Sequence, residues 1–221
     1  MSSLFLEAAP PAPFNVKAFS KPARTFTGDF YFTHQADDLL WFALGDVAGK
    51  GLPAAVIMAM IQEELEQRIV SCASTRCDPS VTMQRLHLFL KPLMPQNRFA
   101  TIVIGHLRDD GLLTVANAGH CPPLIVRKGS VETIPPTGPV AGILNRSMWR
   151  TTTRRLDPGD AIVLYSDGLI EARAEDGEEL GIERIAAAVR TASRDIIGSV
   201  LAEARGHAFE DDVTLLAITA S

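Results

Sequence analysis

Three sites in this chain place aspartate where an apolar strand meets a turn. Asp46 follows LLWFALG and opens DVAGKG; Asp167 follows AIVLYS and precedes Gly168; Asp211 and Asp212 open VTLLAI after a helical stretch. A further acid, Asp29, lies between Gly28 and Phe30 at the start of a β-type run. A carboxylate at the rim of an apolar core is costly unless something positive meets it. Clustered carboxylates also raise one another's pKa and leave some protonated. Lys50 is the nearest cation in sequence, one charge against four or five acids. A divalent cation removes that conflict, and all-oxygen ligands favour Mg²⁺ or Mn²⁺ over Zn²⁺. None of the five histidines falls in an HxxxH or HxxH pair. Asp37-Asp38, Asp109-Asp110 and Asp176-Gly177 are flanked by polar residues instead and read as turns.

The glycine-rich stretch GDVAGKG is neither a phosphate-binding GxxxxGK[ST] loop nor a GxGxxG fingerprint. What it offers is Gly49-Lys50-Gly51 at a helix N-terminus, where free N–H groups can assist an anion. Lys50 itself reads first as a solvated loop lysine. In NAGHCPPL, His120 follows a predicted strand and reads as a loop brace, with general acid as its alternative role. No serine sits in GxSxG, and spacing assembles no Ser-His-Asp or Cys-His set, so a side-chain nucleophile is disfavoured.

The elements that must position these residues follow from periodicity. Asp29–Thr33 and Leu39–Leu44 form a hairpin, the second run apolar throughout, as in a strand covered on both faces. Pro53 suits the first turn of a helix whose Ala54, Ala55, Ile57, Met58, Ile61, Leu65 and Ile69 recur at helical spacing. Asp78-Pro79 starts a second helix through about Leu93. FATIVIGHL and LLTVANAG pair across Arg108–Gly111, and PLIVRK, VETI, TTTRRL, AIVLY and VTLLAI are further strands. Helical patterns cover Ile182–Thr191 and Arg194–His207. Residues 1–23, with four prolines, read as an extended and partly ordered lead, and residues 24–221 as one domain. Eight to ten strands in hairpin order, helices grouped between them, indicate α+β: two antiparallel sheets packed together with helices outside.

Composition narrows the classes further. The chain has 221 residues, 47% hydrophobic and 21% charged, which excludes disorder and leaves ample core. Its net charge of −5 lacks the basic footprint of nucleic-acid binding. Cys72, Cys77 and Cys121 show no metal spacing and read as reduced thiols. The N-terminus has no signal-peptide pattern and no apolar run long enough for a membrane span, so a cytoplasmic location is expected.

GDFYF (28–32), GDVAGKGLPAA (45–55), NAGHCPPL (117–124), YSDGLIEAR (165–173) and DDVTLLAI (211–218), in this order, resemble the PPM-type (type 2C) metal-dependent Ser/Thr protein phosphatases, in the bacterial SpoIIE/RsbU-like branch. The resemblance implies an αββα four-layer sandwich holding two Mn²⁺ or Mg²⁺ ions. It assigns Asp46 as a bridge between the ions and the Val47 carbonyl as a ligand. Asp29, Asp167 and Asp211 match further ligands. Asp212 stands where eukaryotic relatives usually carry Asn and falls beside the ligands, with Gly49, Lys50 and His120 as weaker candidates there or at the substrate. One departure is Phe32, where the first motif often ends in Asp.

The implied activity is hydrolysis of phosphoserine or phosphothreonine by water activated between two metal ions, catalysis resting on Asp46 and Asp167. The usual substrate in the branch is a phosphorylated STAS-type anti-sigma-factor antagonist in a partner-switching circuit. The alternative is a catalytically silent module that docks a regulatory partner, suggested by Phe32 and by the lack of the sensor domain common in the branch. No membrane or nucleic-acid partner is expected, and no motif specifies an oligomeric state.

Overall fold

The computed structural model describes residues 14–36, 38–49, 51–73, 77–94, 98–145, 147–192 and 195–221. In chain order its elements are β1 (Phe14–Lys21), β2 (Phe30–Ala36), β3 (Leu39–Val47), α1 (Leu52–Ala73), α2 (Pro79–Leu90), β4 (Ala100–Arg108) and β5 (Leu112–Ala118). Then come β6 (Leu124–Arg127), β7 (Ser130–Thr133), β8 (Thr152–Arg155), β9 (Ala161–Tyr165), α3 (Asp167–Ile170), α4 (Gly181–Thr191), α5 (Ile196–Glu203) and β10 (Val213–Ala220). The strands form two five-stranded sheets, and every strand pair is antiparallel, giving the α+β class that the hairpin order predicts. The chain divides into two compact units with one sheet each: Phe26–His120 with Pro135–Leu156, and Met1–Thr25 with Cys121–Ile134 and Asp157–Ser221.

In the first unit the sheet order is β2-β3-β4-β5-β8. On one face of β3, Trp41, Ala43 and Val47 join the apolar side of α1, Ala54, Ile57, Ile61, Leu65 and Ile69, in a single core cluster. Burying each large side chain of that cluster contributes roughly 1.5–3 kcal/mol. The opposite face of β3 carries Leu40, Phe42 and Leu44, also buried, as its unbroken apolar run requires. Helix α2 starts on Asp78, whose carboxylate accepts the Ser80 N–H at 2.8 Å, with Pro79 in the first turn. It ends at Leu90 rather than near Leu93, where a turn bond from Leu93 N–H to the Leu90 carbonyl takes over. The buried His87 ties α2 to a later loop: its Nδ1 accepts the Gly142 N–H at 3.0 Å.

The second unit has the order β1-β10-β9-β6-β7. Its core joins Val163, Tyr165, Leu215 and Ala217 of the sheet to Ile185 and Val189 of α4 and Ile197 and Val200 of α5. Here the reading of residues 1–23 as a partly ordered lead needs correction over 14–21 alone. Phe14–Lys21 is a strand paired along its whole length with β10, from Phe14 opposite Ala220 to Lys21 opposite Val213. The prolines that suggested a lead, at 10, 11, 13 and 22, all lie outside FNVKAFSK; residues 1–13 lie outside those described. The reduced-thiol reading fails for Cys77, which is disulfide-bonded, and holds for Cys121, which forms no disulfide. Spacing alone sets no distance between thiols. Among the described residues no helix is long and apolar enough to cross a membrane.

Candidate active site

Each unit carries a pair of the aspartates singled out in the sequence. In the first, β2 and β3 run in a register that sets Phe30 opposite Gly45. One step further, Val47 N–H donates to the Gly28 carbonyl at 3.3 Å, so Asp29 and Asp46 face each other across the end of the hairpin. Pairs flanked in this way are not themselves backbone-bonded, and their side chains come closest, with Cα atoms about 4.5 Å apart. Two carboxylates directly opposite each other are destabilising on their own. Asp29 is buried, at 5% exposure, which sharpens the conflict. Its turn is held by Thr27, whose Oγ1 accepts the Asp29 N–H at 3.0 Å.

Gly28 makes this corner possible. A methyl group there would lie 2.7 Å from Asp46 Oδ1 and 3.0 Å from the Val47 carbonyl oxygen. These oxygens border the same small space, which only hydrogen leaves open. The oxygens at this space are a carboxylate and a carbonyl, with Asp29 on the strand opposite, and hard oxygens of this kind are what Mg²⁺ and Mn²⁺ take. The fit to a divalent cation rests on this cradle and on the opposed charges. Beyond it the chain continues into the DVAG loop, where Ala48 N–H donates to the Phe99 carbonyl at 2.9 Å. At Gly49 a methyl would meet the Arg98 guanidinium at 3.0 Å. Lys50 lies outside the described residues.

In the second unit Asp167 opens α3, a short helix that periodicity did not reveal. Ser166, fully buried, joins it to β10: its N–H donates to the Thr214 carbonyl at 3.0 Å, and its Oγ accepts the Thr214 N–H at 2.8 Å. The Ser166 hydroxyl also donates to the Asp212 carbonyl at 3.2 Å. A methyl on Gly168 would sit 2.2 Å from that same carbonyl oxygen, so the Asp167-Gly168 turn lies backbone to backbone against Asp211-Asp212. Asp211 accepts the Asp212 N–H at 2.9 Å, and Asp212 turns its carboxylate to the Ala23 N–H at 2.8 Å. Asp212 thus clasps the chain after β1.

Sequence reasoning missed Glu171, four residues past Asp167, whose N–H donates to the Asp167 carbonyl. Its carboxyl pKa is raised by desolvation first, then by the like charges of Asp167, Glu179 and Asp211, with Arg173 opposing. That repulsion registers a concentration of acid around Asp167 and Asp211. Among the described residues no three His, Cys, Asp or Glu side chains gather as a metal cluster, so within each unit the acids come as pairs. His120 lies in the first unit, its Nδ1 2.8 Å from Thr101 Oγ1. The other acids are turn formers: Asp110 accepts the Leu112 N–H and Asp176 the Glu178 N–H, each at 3.0 Å, while Asp37 lies outside the described residues.

Residues 36–221 match the family profile of Stage II sporulation protein E, SpoIIE. The chain belongs to the SpoIIE family. Among family relatives, phosphoserine phosphatase RsbU of Bacillus subtilis (strain 168) is 28% identical over 214 residues, covering 92% of this chain and 62% of RsbU. The chain therefore spans about three fifths of that relative's length. The crystal structure of the RsbU and RsbW domains of Rv1364c from Mycobacterium tuberculosis superposes with a TM-score of 0.81 at 27% identity, over 93% of this chain and 61% of that one. RsbX, crystallised in complex with magnesium, matches with a TM-score of 0.74 at 17% identity, over 99% of this chain and 100% of its own. These likenesses place the two-sheet architecture in the PP2C-like fold that the SpoIIE family shares.

Proposed function

We propose that this SpoIIE-family chain is a metal-dependent protein serine/threonine phosphatase. The observation that carries the reading is the opposed pair Asp29 and Asp46, with the Val47 carbonyl bordering the same cradle under Gly28. Supporting it are the second acid pair, Asp167 and Asp211, and the phosphoserine phosphatase name of RsbU. Asp29, Asp46, Val47, Asp167 and Asp211 are the residues that would hold two Mn²⁺ or Mg²⁺ ions. Bound there, the ions supply a water made nucleophilic near neutral pH and offset charge on the phosphoryl oxygens.

The chain's own part is positional. Ser166 and Gly168 fix where Asp167 stands relative to Asp211, and Gly28 fixes Asp46 and Val47 relative to Asp29. In the reaction a water oxygen forms a bond to phosphorus as the bond from phosphorus to the serine or threonine oxygen breaks. A proton ends on that departing oxygen, and inorganic phosphate is released. The substrate class we favour is a phosphorylated STAS-type anti-sigma-factor antagonist in a partner-switching circuit, as the motif resemblance implies.

The test is Mn²⁺-dependent hydrolysis of an aryl phosphate and of a phosphorylated STAS domain. Wild type is expected to be active on both, and Asp46→Ala and Asp167→Asn to lose at least about 100-fold, in line with the loss of a catalytic metal's ligand. Their circular dichroism should match wild type, because the apolar cores do not use these carboxylates. A wild-type protein that binds no Mn²⁺ and hydrolyses neither substrate would overturn the reading in favour of a silent docking module.

A further inference from the structure

The row of side chains across the sheet of the first unit runs one strand beyond the acids. On β4, Thr101 stands opposite Asp46, on the side away from Asp29. Side chains directly opposite in a sheet share a face. Thr101 Oγ1 is 2.8 Å from Nδ1 of His120, which is buried at 4% exposure. The backbone of His120 is held at both ends by Asn117, whose Oδ1 accepts its N–H at 2.8 Å and whose Nδ2 donates to its carbonyl at 3.2 Å. Asn117 is wholly buried and is itself fastened by Thr137, whose Oγ1 accepts the Asn117 N–H at 2.9 Å. Burying an asparagine and a histidine is expensive, and the buried hydrogen bonds that offset the cost hold their geometry.

We propose that Asn117, His120 and Thr101 form a buttress that positions the Asp46 carboxylate for a divalent cation; this rests on the metal-dependent reading above. Asp46 Oδ1 borders Gly28 on one side. Thr101, opposite Asp46 on β4, stands on the other side of the same row. Threonine is stiff at χ1 because it is β-branched, and the bond to His120 selects one of its rotamers. The carboxylate is thereby confined before any ion arrives, so less ordering remains to oppose binding. Thr101 and His120 touch neither substrate nor ion in this scheme and are positioning residues.

The experiment is calorimetric Mn²⁺ titration of the full chain, with metal-free thermal unfolding alongside. Thr101→Val keeps the shape and loses the hydroxyl, whereas Thr101→Ser keeps the hydroxyl. His120→Ala removes the partner, whereas His120→Asn returns an amide near the Nδ1 position. Thr101→Val and His120→Ala should each weaken Mn²⁺ binding about 10- to 100-fold, the range for residues that orient metal ligands. Thr101→Ser and His120→Asn should recover most of it, and the double variant Thr101→Val/His120→Ala should lose no more than the worse single one. Metal-free melting of Thr101→Val should stay close to wild type. Binding within about 2-fold of wild type in both Thr101→Val and His120→Ala, or losses that simply add, would overturn the buttress while leaving the phosphatase reading intact. A wild-type chain that takes up no Mn²⁺ would overturn both.

Discussion

Gly28→Ala puts a methyl group 2.7 Å from Asp46 Oδ1 and 3.0 Å from the Val47 carbonyl, so both oxygens must move. We expect this single carbon to lower Mn²⁺ affinity at least about 10-fold by calorimetry, and overpacking to destabilise the chain by about 1–3 kcal/mol in urea titration. A Gly28→Ala protein with wild-type Mn²⁺ affinity would argue against any ion at this corner. At this scale the aspartates were legible because each stands at the end of an apolar run. Glu171 and Thr101 were not. Glu171 belongs with the acids only because a short helix folds it back over Asp167, and Thr101 matters only through a register that links β3 to a strand more than fifty residues later. Asp212 adds a contact that its motif position did not convey: its N–H donates to the Asp211 carboxylate, while its own carboxylate accepts the Ala23 N–H.

Among the elements, α1 and α2 were the most readable, α1 from helical spacing after Pro53 and α2 from the Asp78-Pro79 start. Leu65 is fully buried on the α1 face that packs against β3, and Leu65→Ala should cost about 2–5 kcal/mol, read from the denaturant midpoint. Helix α2 adds a pH dependence. Burial holds the His87 pKa below its ordinary 6.5, with Lys91 adding to the shift. The folded state therefore binds this proton less readily than the unfolded chain. Stability from this group is present above pH 6.5 and is lost as pH falls below it, continuing down to the depressed folded pKa. Protonation also turns Nδ1 from acceptor into donor and breaks the bond from the Gly142 N–H. His87→Gln, which keeps an acceptor without titrating, should show a smaller drop in urea midpoint between pH 7.5 and pH 5.5 than wild type. An identical drop in both proteins would place the effect elsewhere. Strand β1, like the short α3, was lost to sequence reading, because prolines flanking a short β-type segment were taken to describe the segment itself.

For the molecule as a whole, alternating apolar runs and hairpin turns were enough to give two antiparallel sheets with helices, and motif order gave the family. What no local pattern conveys is how the chain is apportioned. Each unit is assembled from separated stretches, and the acids predicted to share a metal centre are divided between the two. A cation that binds only the folded chain stabilises it by mass action, about 2.7 kcal/mol at 100 times its dissociation constant. For a chain of this size that corresponds to a rise of roughly 5–10 °C in melting temperature. Mn²⁺ should produce this rise, EDTA should reverse it, and Asp46→Ala and Asp167→Asn should each abolish it. A rise that survives both substitutions would mean that the ion binds somewhere else.

The antiparallel zipping of Phe14–Lys21 onto the last strand has a practical corollary. Trimming the protein back to residue 24, the boundary read from the sequence, would strip one flank of Val213–Ala220 of its backbone partners. Bare strand flanks recruit other chains, so the shortened protein should self-associate or precipitate on concentration, a fault visible by light scattering. It would also forfeit the Ala23 tether on Asp212, leaving the neighbouring Asp211 less firmly placed.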